Sequence, residues 1–137
     1  MGSDGRQQSI DSGRYDESYF LSACEGYREF ISTEGRLLSR RLEQAFDAAG
    51  VAPGMKVLDV GCGRGEILRH CAARGADVYG IDYSSVAARI ASDLAGDDGG
   101  AAVMMADAKI LPFASASFDR VLMLDLVEHL HPWELQR

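Results

Sequence analysis

The chain has 137 residues, the length of one ordinary domain and too short for two. Apolar residues make up 47% and charged residues 26%, which excludes a chain disordered throughout. With 14 basic and 21 acidic side chains the net charge is −7, which argues against nucleic acid or an anionic membrane as an obligatory partner, since both reward basic faces. No apolar run approaches the ~18 residues that a bilayer span requires, and the opening MGSDGRQQSID lacks the apolar core of a secretory signal. Three cysteines, Cys24, Cys62 and Cys71, form neither a disulfide framework nor a Cys-x-x-Cys pair. No metal site is therefore expected, and a reducing cytoplasm is the expected location. There are 15 glycines and only 3 prolines, ~11% glycine against a usual ~7%, so the glycines serve particular backbone positions and not a linker.

Residues 1–14 read as a flexible polar arm. Residues 15–52 read as an N-terminal helical or lid segment. Its first part is aromatic, with Tyr15, Tyr19, Phe20, Tyr27 and Phe30. Its second part, 34–49, has the apolar spacing of an amphipathic helix: Leu38, Leu42, Ala45, Phe46 and Ala49 fall on one stripe. Arg36, Arg40 and Arg41 are expected on its solvated face. Gly50 is the stop and Pro53-Gly54 a turn.

The region 53–137 alternates strands and helices. The sequence predicts a strand at 56–60 (KVLDV), a helix at 66–74 and a strand at 77–81 (DVYGI). A helix at 84–95 follows, capped by Ser84 or Ser85 and ended by Gly96, then strands at 102–106 and 118–124. The strands are almost continuously apolar, as when both faces of a sheet are covered. This order gives an α/β fold, a Rossmann-like doubly wound parallel sheet with N-terminal helices. Between the third and fourth strands only residues 107–117 remain, with no convincing helix. In a spatial order 3-2-1-4 that link crosses about 14 Å, and eleven residues can extend to about 36 Å. The order places a topological switch between strands one and four, where such sheets bind ligands.

Three features converge there. Asp59-Val60-Gly61-Cys62-Gly63-Arg64-Gly65 leaves strand one for a helix, and its glycines permit a tight turn and close ligand approach. Asp82 ends strand two, 21 residues after Gly61, placed to accept from ribose hydroxyls. Asp107 ends strand three, placed to accept from the exocyclic amine of a purine, with neighbouring backbone N–H groups reading the ring. The set points to an adenosine-type ligand. A nicotinamide dinucleotide is one alternative, but its G-x-G-x-x-G fingerprint is broken here, with Glu66 in the place of the third glycine. Glu66 and Asp59 would repel a pyrophosphate with only Arg64 to offset them. A cationic nucleoside, S-adenosylmethionine, fits the sign of the charge better.

VLDVGCGRGE (57–66), YGIDYSS (79–85) and ADAKILPFASASFDRVLMLDLVEHL (106–130) resemble the class I S-adenosylmethionine-dependent methyltransferases. They are closest to the ubiquinone- and menaquinone-biosynthesis group. The resemblance covers about residues 53–135. It implies a methionine-binding loop of Asp59, Gly61, Cys62, Gly63 and Gly65, with Asp82 on the ribose and Tyr83 near the adenine. It also implies Asp107 and Ala108 at the adenine edge, and Asp125 on the floor near the methyl group. Such enzymes have a seven-stranded sheet, so the domain is expected to be incomplete at its C-terminus. An unpaired edge on strand four leaves room for a homo-oligomer or a partner chain to cover it. The implied partner is a small-molecule methyl acceptor. The rival reading of the chain is a non-catalytic cofactor-binding module or subunit completed by a partner.

Methyl transfer is an in-line displacement at carbon, to which a protein contributes alignment and, for an oxygen or nitrogen nucleophile, a base. His129 and Glu128 are the candidate bases, against the plainer reading that they shape a helix start. Tyr15, Tyr19 and Phe20 either close over the sulfonium, where aromatic faces favour a cation, or only pack the N-terminal segment on the sheet.

Overall fold

The structure is a computed structural model, and it describes residues 16, 18–23, 26–97, 100–124 and 126–135. The predicted arm 1–14, Tyr15, Cys24 and Asp125 lie outside the described residues. Four parallel strands, β1 (Lys56–Val60), β2 (Asp77–Asp82), β3 (Ala101–Met105) and β4 (Arg120–Leu122), stand in the order β3-β2-β1-β4. This is the predicted arrangement. Helices α3 (Glu66–Ala73) and α4 (Ser85–Asp97) make the two crossovers.

One sheet face carries Val57, Val78 and Leu122, which pack against Ile67, Leu68 and Cys71 of α3 and Ala91 of α4. Phe46 of α2 (Arg40–Ala49) closes that core. The second face carries Leu58, Val60 and Ile81, covered by Ala106, Ala108, Phe113, Phe118 and Leu126. The helix-free β3–β4 link therefore still covers a sheet face. Phe113 and Phe118 meet edge to face at 5.0 Å, Phe118 meets Tyr79 at 5.6 Å, and Lys56 lies 5.2 Å from the Tyr79 centroid. Cover is complete only over β1 and β2: Met104 on β3 is 39% exposed and Val121 on β4 is 52% exposed. The expectation that both faces are covered fails on the outer strands.

Several boundaries differ from the sequence expectation. The helix predicted over 34–49 starts only at Arg40, as α2, and a separate helix, α1 (Tyr27–Thr33), precedes it. Glu34 (φ 52°) and Gly35 (φ 72°) are consecutive left-handed residues, and no α-helix continues through such a pair. Arg69 of α3 fixes the break by donating to the Glu34 carbonyl at 2.7 Å. The Ser39 hydroxyl then accepts from Leu42 N–H and starts α2. Leu38 precedes α2 yet still packs on the core beside Leu42. Ser84 is the residue that starts α4, accepting from Ala87 N–H at 3.3 Å, and α4 runs through Gly96 to Asp97. β4 is shorter than the predicted 118–124 because only Arg120, Val121 and Leu122 pair with β1. No helix among the described residues is long and apolar enough to cross a membrane.

Candidate functional site

The cleft opens at the carboxyl ends of β1, β2 and β3, beside the β1–β4 switch. The end of β1 supplies Asp59 to its wall and the following turn supplies Gly61, Cys62, Gly63 and Arg64, followed by Glu66 and Ile67 of α3. The end of β2 supplies Ile81, Asp82 and Tyr83, and the turn after β3 supplies Ala106 to Lys109. Tyr19, Phe20, Arg41 and Leu42 close one side, and Leu126, His129, Leu130 and Glu134 another.

The turn holds its shape through the chain's own amides. Gly61 and Cys62 N–H both donate to the Ile81 carbonyl, at 2.8 and 3.0 Å. Gly61, Gly63 and Gly65 all have positive φ. A Cβ on Gly63 would meet only Phe20, at 4.0 Å, so this position faces open cleft. Gly65 does something else. It is absent from the cleft wall, and a Cβ there would lie 2.9 Å from the Ala91 Cβ. Glycine at this position lets α3 approach α4. Gly80 on β2 serves the same kind of purpose, since a Cβ there would lie 2.5 Å from Leu68. The lone glycine in an otherwise apolar strand was the available signal for it.

The three strand-end acids differ in environment. Asp59 is 3% exposed, flanked by Gly80 on β2 and Leu122 on β4. Its Oδ1 has no hydrogen-bond partner. Burial, with smaller contributions from the charges of Asp82 and Glu66, pushes its carboxyl up from 3.8 to about 7. Asp82 is satisfied: Oδ2 accepts from Gly63 N–H at 3.0 Å and Oδ1 from Ser84 N–H at 2.9 Å. Burial raises its pKa, and those amide bonds oppose the rise. Asp107 accepts from Lys109 N–H at 2.9 Å and faces the Lys109 ammonium at 3.6 Å. Lys109 also faces Glu134 at 3.4 Å, so the turn after β3 is tied to the segment beyond β4.

The electrostatics of the turn need one correction. Glu66 does not add a bare negative charge beside Asp59. Its Oε1 accepts from Arg64 Nε at 2.8 Å and lies 2.7 Å from Nη2, in a pair whose side chains are 3% and 10% exposed. The carboxylates left to meet a ligand on this side are Asp59 and Asp82.

Of the expected site residues, the structure brings Asp59, Gly61, Cys62, Gly63, Asp82, Tyr83, Asp107, Ala108 and His129 to one cleft. Asp125 lies outside the described residues. Glu128 is exposed and is not on the cleft wall, because the short 3-10 turn Val127–His129 turns His129 inward and leaves Glu128 out. Tyr19 and Phe20 do line the cleft, with Phe20 only 5% exposed. Arg41, expected on a solvated face, lines it too, because α2 starts at Arg40 and turns its first residues toward the cleft. Leu42, Lys109 and Glu134 were not anticipated in the site, and no motif marks them. Burial pushes both the Cys62 and Cys71 thiols up, Cys71 to about 12, so neither is poised as a nucleophile. Among the described residues no cluster of His, Cys, Asp and Glu is arranged to hold a metal ion.

A parallel sheet of order β3-β2-β1-β4, with a glycine turn after β1 and acids at successive strand ends around a cleft, defines a Rossmann-like domain. The chain belongs to the methyltransferase-domain family, whose description matches residues 57–137. It is 36% identical over 95 residues to the methyltransferase GfsG of Streptomyces halstedii, covering 66% of this chain and 34% of that protein. It is 38% identical over 87 residues to the ubiquinone biosynthesis O-methyltransferase of Hahella chejuensis, covering 61% and 36%. The chain thus spans about a third of the length of these curated relatives. A similar fold is found in an S-adenosylmethionine-dependent methyltransferase of Geobacter sulfurreducens solved in complex with S-adenosyl-L-homocysteine. It has a TM-score of 0.60 and 21% identity, covering 82% of this chain and 43% of that one.

Proposed function

We propose that this chain binds S-adenosylmethionine and forms the cofactor-binding part of an enzyme that transfers the methyl group to a small organic acceptor. The observation that carries the reading is Asp59: a buried carboxylate, one oxygen without a partner, on the wall of the cleft. Burying such a group costs free energy unless a cation or donor meets it, and the α-ammonium of the cofactor is such a group. Gly63 faces open cleft, so backbone and ligand can approach closely. Asp82 has acceptor capacity beyond its two amide bonds for the ribose hydroxyls. Tyr83, Asp107 and Ala108 flank the place for the adenine.

When bound, S-adenosylmethionine supplies an electrophilic methyl group on a positively charged sulfur. The aromatic pair Tyr19 and Phe20, rings edge to face at 5.1 Å, lies where such a charge would benefit from aromatic faces. His129 lines the cleft and is the proposed base for an oxygen or nitrogen nucleophile. A nicotinamide dinucleotide is disfavoured because Arg64, the cation of the turn, already holds Glu66.

Calorimetric titration of the chain with S-adenosylmethionine, S-adenosyl-L-homocysteine and NAD tests the reading. Both adenosyl ligands are expected to bind and to raise the melting temperature by mass action, while NAD does neither. Binding of NAD alone overturns it.

A further inference from the structure

We propose that Arg64 is a positioning residue: its guanidinium holds Phe20 on the cleft wall and ties it to the start of α1 at Gly26 and Phe30, so that release of the cofactor requires this lock to open. The inference rests on the S-adenosylmethionine reading for its ligand, but not for the lock itself. Arg64 leaves the turn between Gly63, whose N–H is held by Asp82, and Gly65, which is packed on Ala91. Its backbone is therefore fixed from both sides. The side chain is 3% exposed and points away from solvent.

Three separate pieces of the N-terminal segment meet that one guanidinium. Nη1 donates to the Phe20 carbonyl at 3.1 Å, across 44 residues of chain. Cζ lies 4.8 Å from the centroid of Phe30 on α1. Nη2 lies 3.5 Å from the position a Cβ on Gly26 would take, so the guanidinium packs against the start of α1. Glu66 takes Nε and Nη2 and orients the planar group, which leaves Nη1 aimed at Phe20. Phe20 and its neighbour Tyr19 are cleft-lining side chains. A residue within the glycine turn is thus the same residue that holds Phe20 and the start of α1 in place. A point cation cannot reproduce this, since lysine lacks the fork and the flat face.

The test compares the wild-type chain with Arg64→Lys and with the double variant Arg64→Met/Glu66→Gln, which removes both charges of the Arg64–Glu66 pair together. Two measurements are made. Hydrogen–deuterium exchange without ligand is expected to show faster exchange across residues 26–33 in both variants, with β1 and β2 amides unchanged. Stopped-flow displacement of S-adenosyl-L-homocysteine is expected to show dissociation faster by about ten- to a hundredfold, the loss of a charge-assisted hydrogen bond and a ring contact, with association changed little. A change in folding stability alone does not produce that split. Wild-type exchange across 26–33 in both variants overturns the lock. Faster exchange with wild-type dissociation overturns its control of release. If the wild-type chain binds no adenosyl ligand, the functional reading fails, and exchange still decides whether Arg64 holds the segment.

Discussion

Replacing Asp59 by asparagine is expected to strengthen the fold and weaken the site at once. In the folded chain the Asp59 carboxyl titrates at about 7, against 3.8 for an ordinary aspartate. Between those two values the native state holds a proton that the unfolded chain has lost. Stability therefore falls as pH rises through this window, and the full penalty is present above pH 7. A shift of this size corresponds to roughly 4 kcal/mol, at 1.36 kcal/mol per pK unit. Asparagine has the same shape and no charge, so Asp59→Asn removes that penalty. Urea unfolding of both proteins at pH 4.5, 6 and 8 reads the difference. The variant is expected to exceed the wild type by about 1 kcal/mol at pH 4.5, where the unfolded chain has already lost most of its proton, and by increasingly more toward pH 8. A difference independent of pH would refute the reasoning, because it would mean that Asp59 is not protonated by burial. The ligand side has the opposite sign. A bound cation favours the ionised carboxylate, so wild-type affinity for S-adenosylmethionine is expected to rise with pH up to about 7 and then level off. Binding at pH 6 is expected to release most of one proton, read from calorimetry in buffers of different ionisation enthalpy. Asp59→Asn loses both the affinity and the proton release.

Other expectations follow from single contacts. Asp82→Ala removes the acceptor of Gly63 and Ser84 N–H, and calorimetry is expected to show cofactor binding weaker by about 1–3 kcal/mol. Gly65→Ala places a Cβ 2.9 Å from Ala91 at a φ of +87°, and a stability loss of about 1–3 kcal/mol by urea unfolding is expected from strain and overpacking together. Cys62 and Cys71 are buried with raised pKa values, so peptide mapping after treatment with a disulfide reagent at pH 8 is expected to find both unmodified in the folded chain and modified in urea.

The strand ends were legible because their signals are local. Short apolar runs closing on Asp59, Asp82 and Asp107, with glycines after the first, place the acids at one sheet edge whatever the rest of the chain does. The strand order 3-2-1-4 could be posited from the sequence because the eleven-residue link, which shows no convincing helix, is long enough to span the required distance. What escaped depends on contacts between distant residues. The start of α2 moved to Arg40 because Arg69, on another helix, holds the Glu34 carbonyl in a left-handed turn. Arg41 reached the cleft as a result. Arg64 and Glu66 are two residues apart in an ordinary-looking loop, and only burial turns them into a pair that cancels a charge assigned to the ligand's surroundings. The distinction between Gly63 and Gly65 was invisible for the same reason: they share backbone geometry, and what differs is whether Phe20 or Ala91 stands opposite.

The carboxylate of Asp82 joins its own turn to the turn at Gly63, 19 residues earlier in sequence, one oxygen to each. The glycine heptapeptide is consequently not a portable module. Grafted into a scaffold without an acid ending the adjacent strand, it would keep its residues and lose the acceptor that fixes its middle amide. Anyone transplanting this binding motif has to carry the second strand with it.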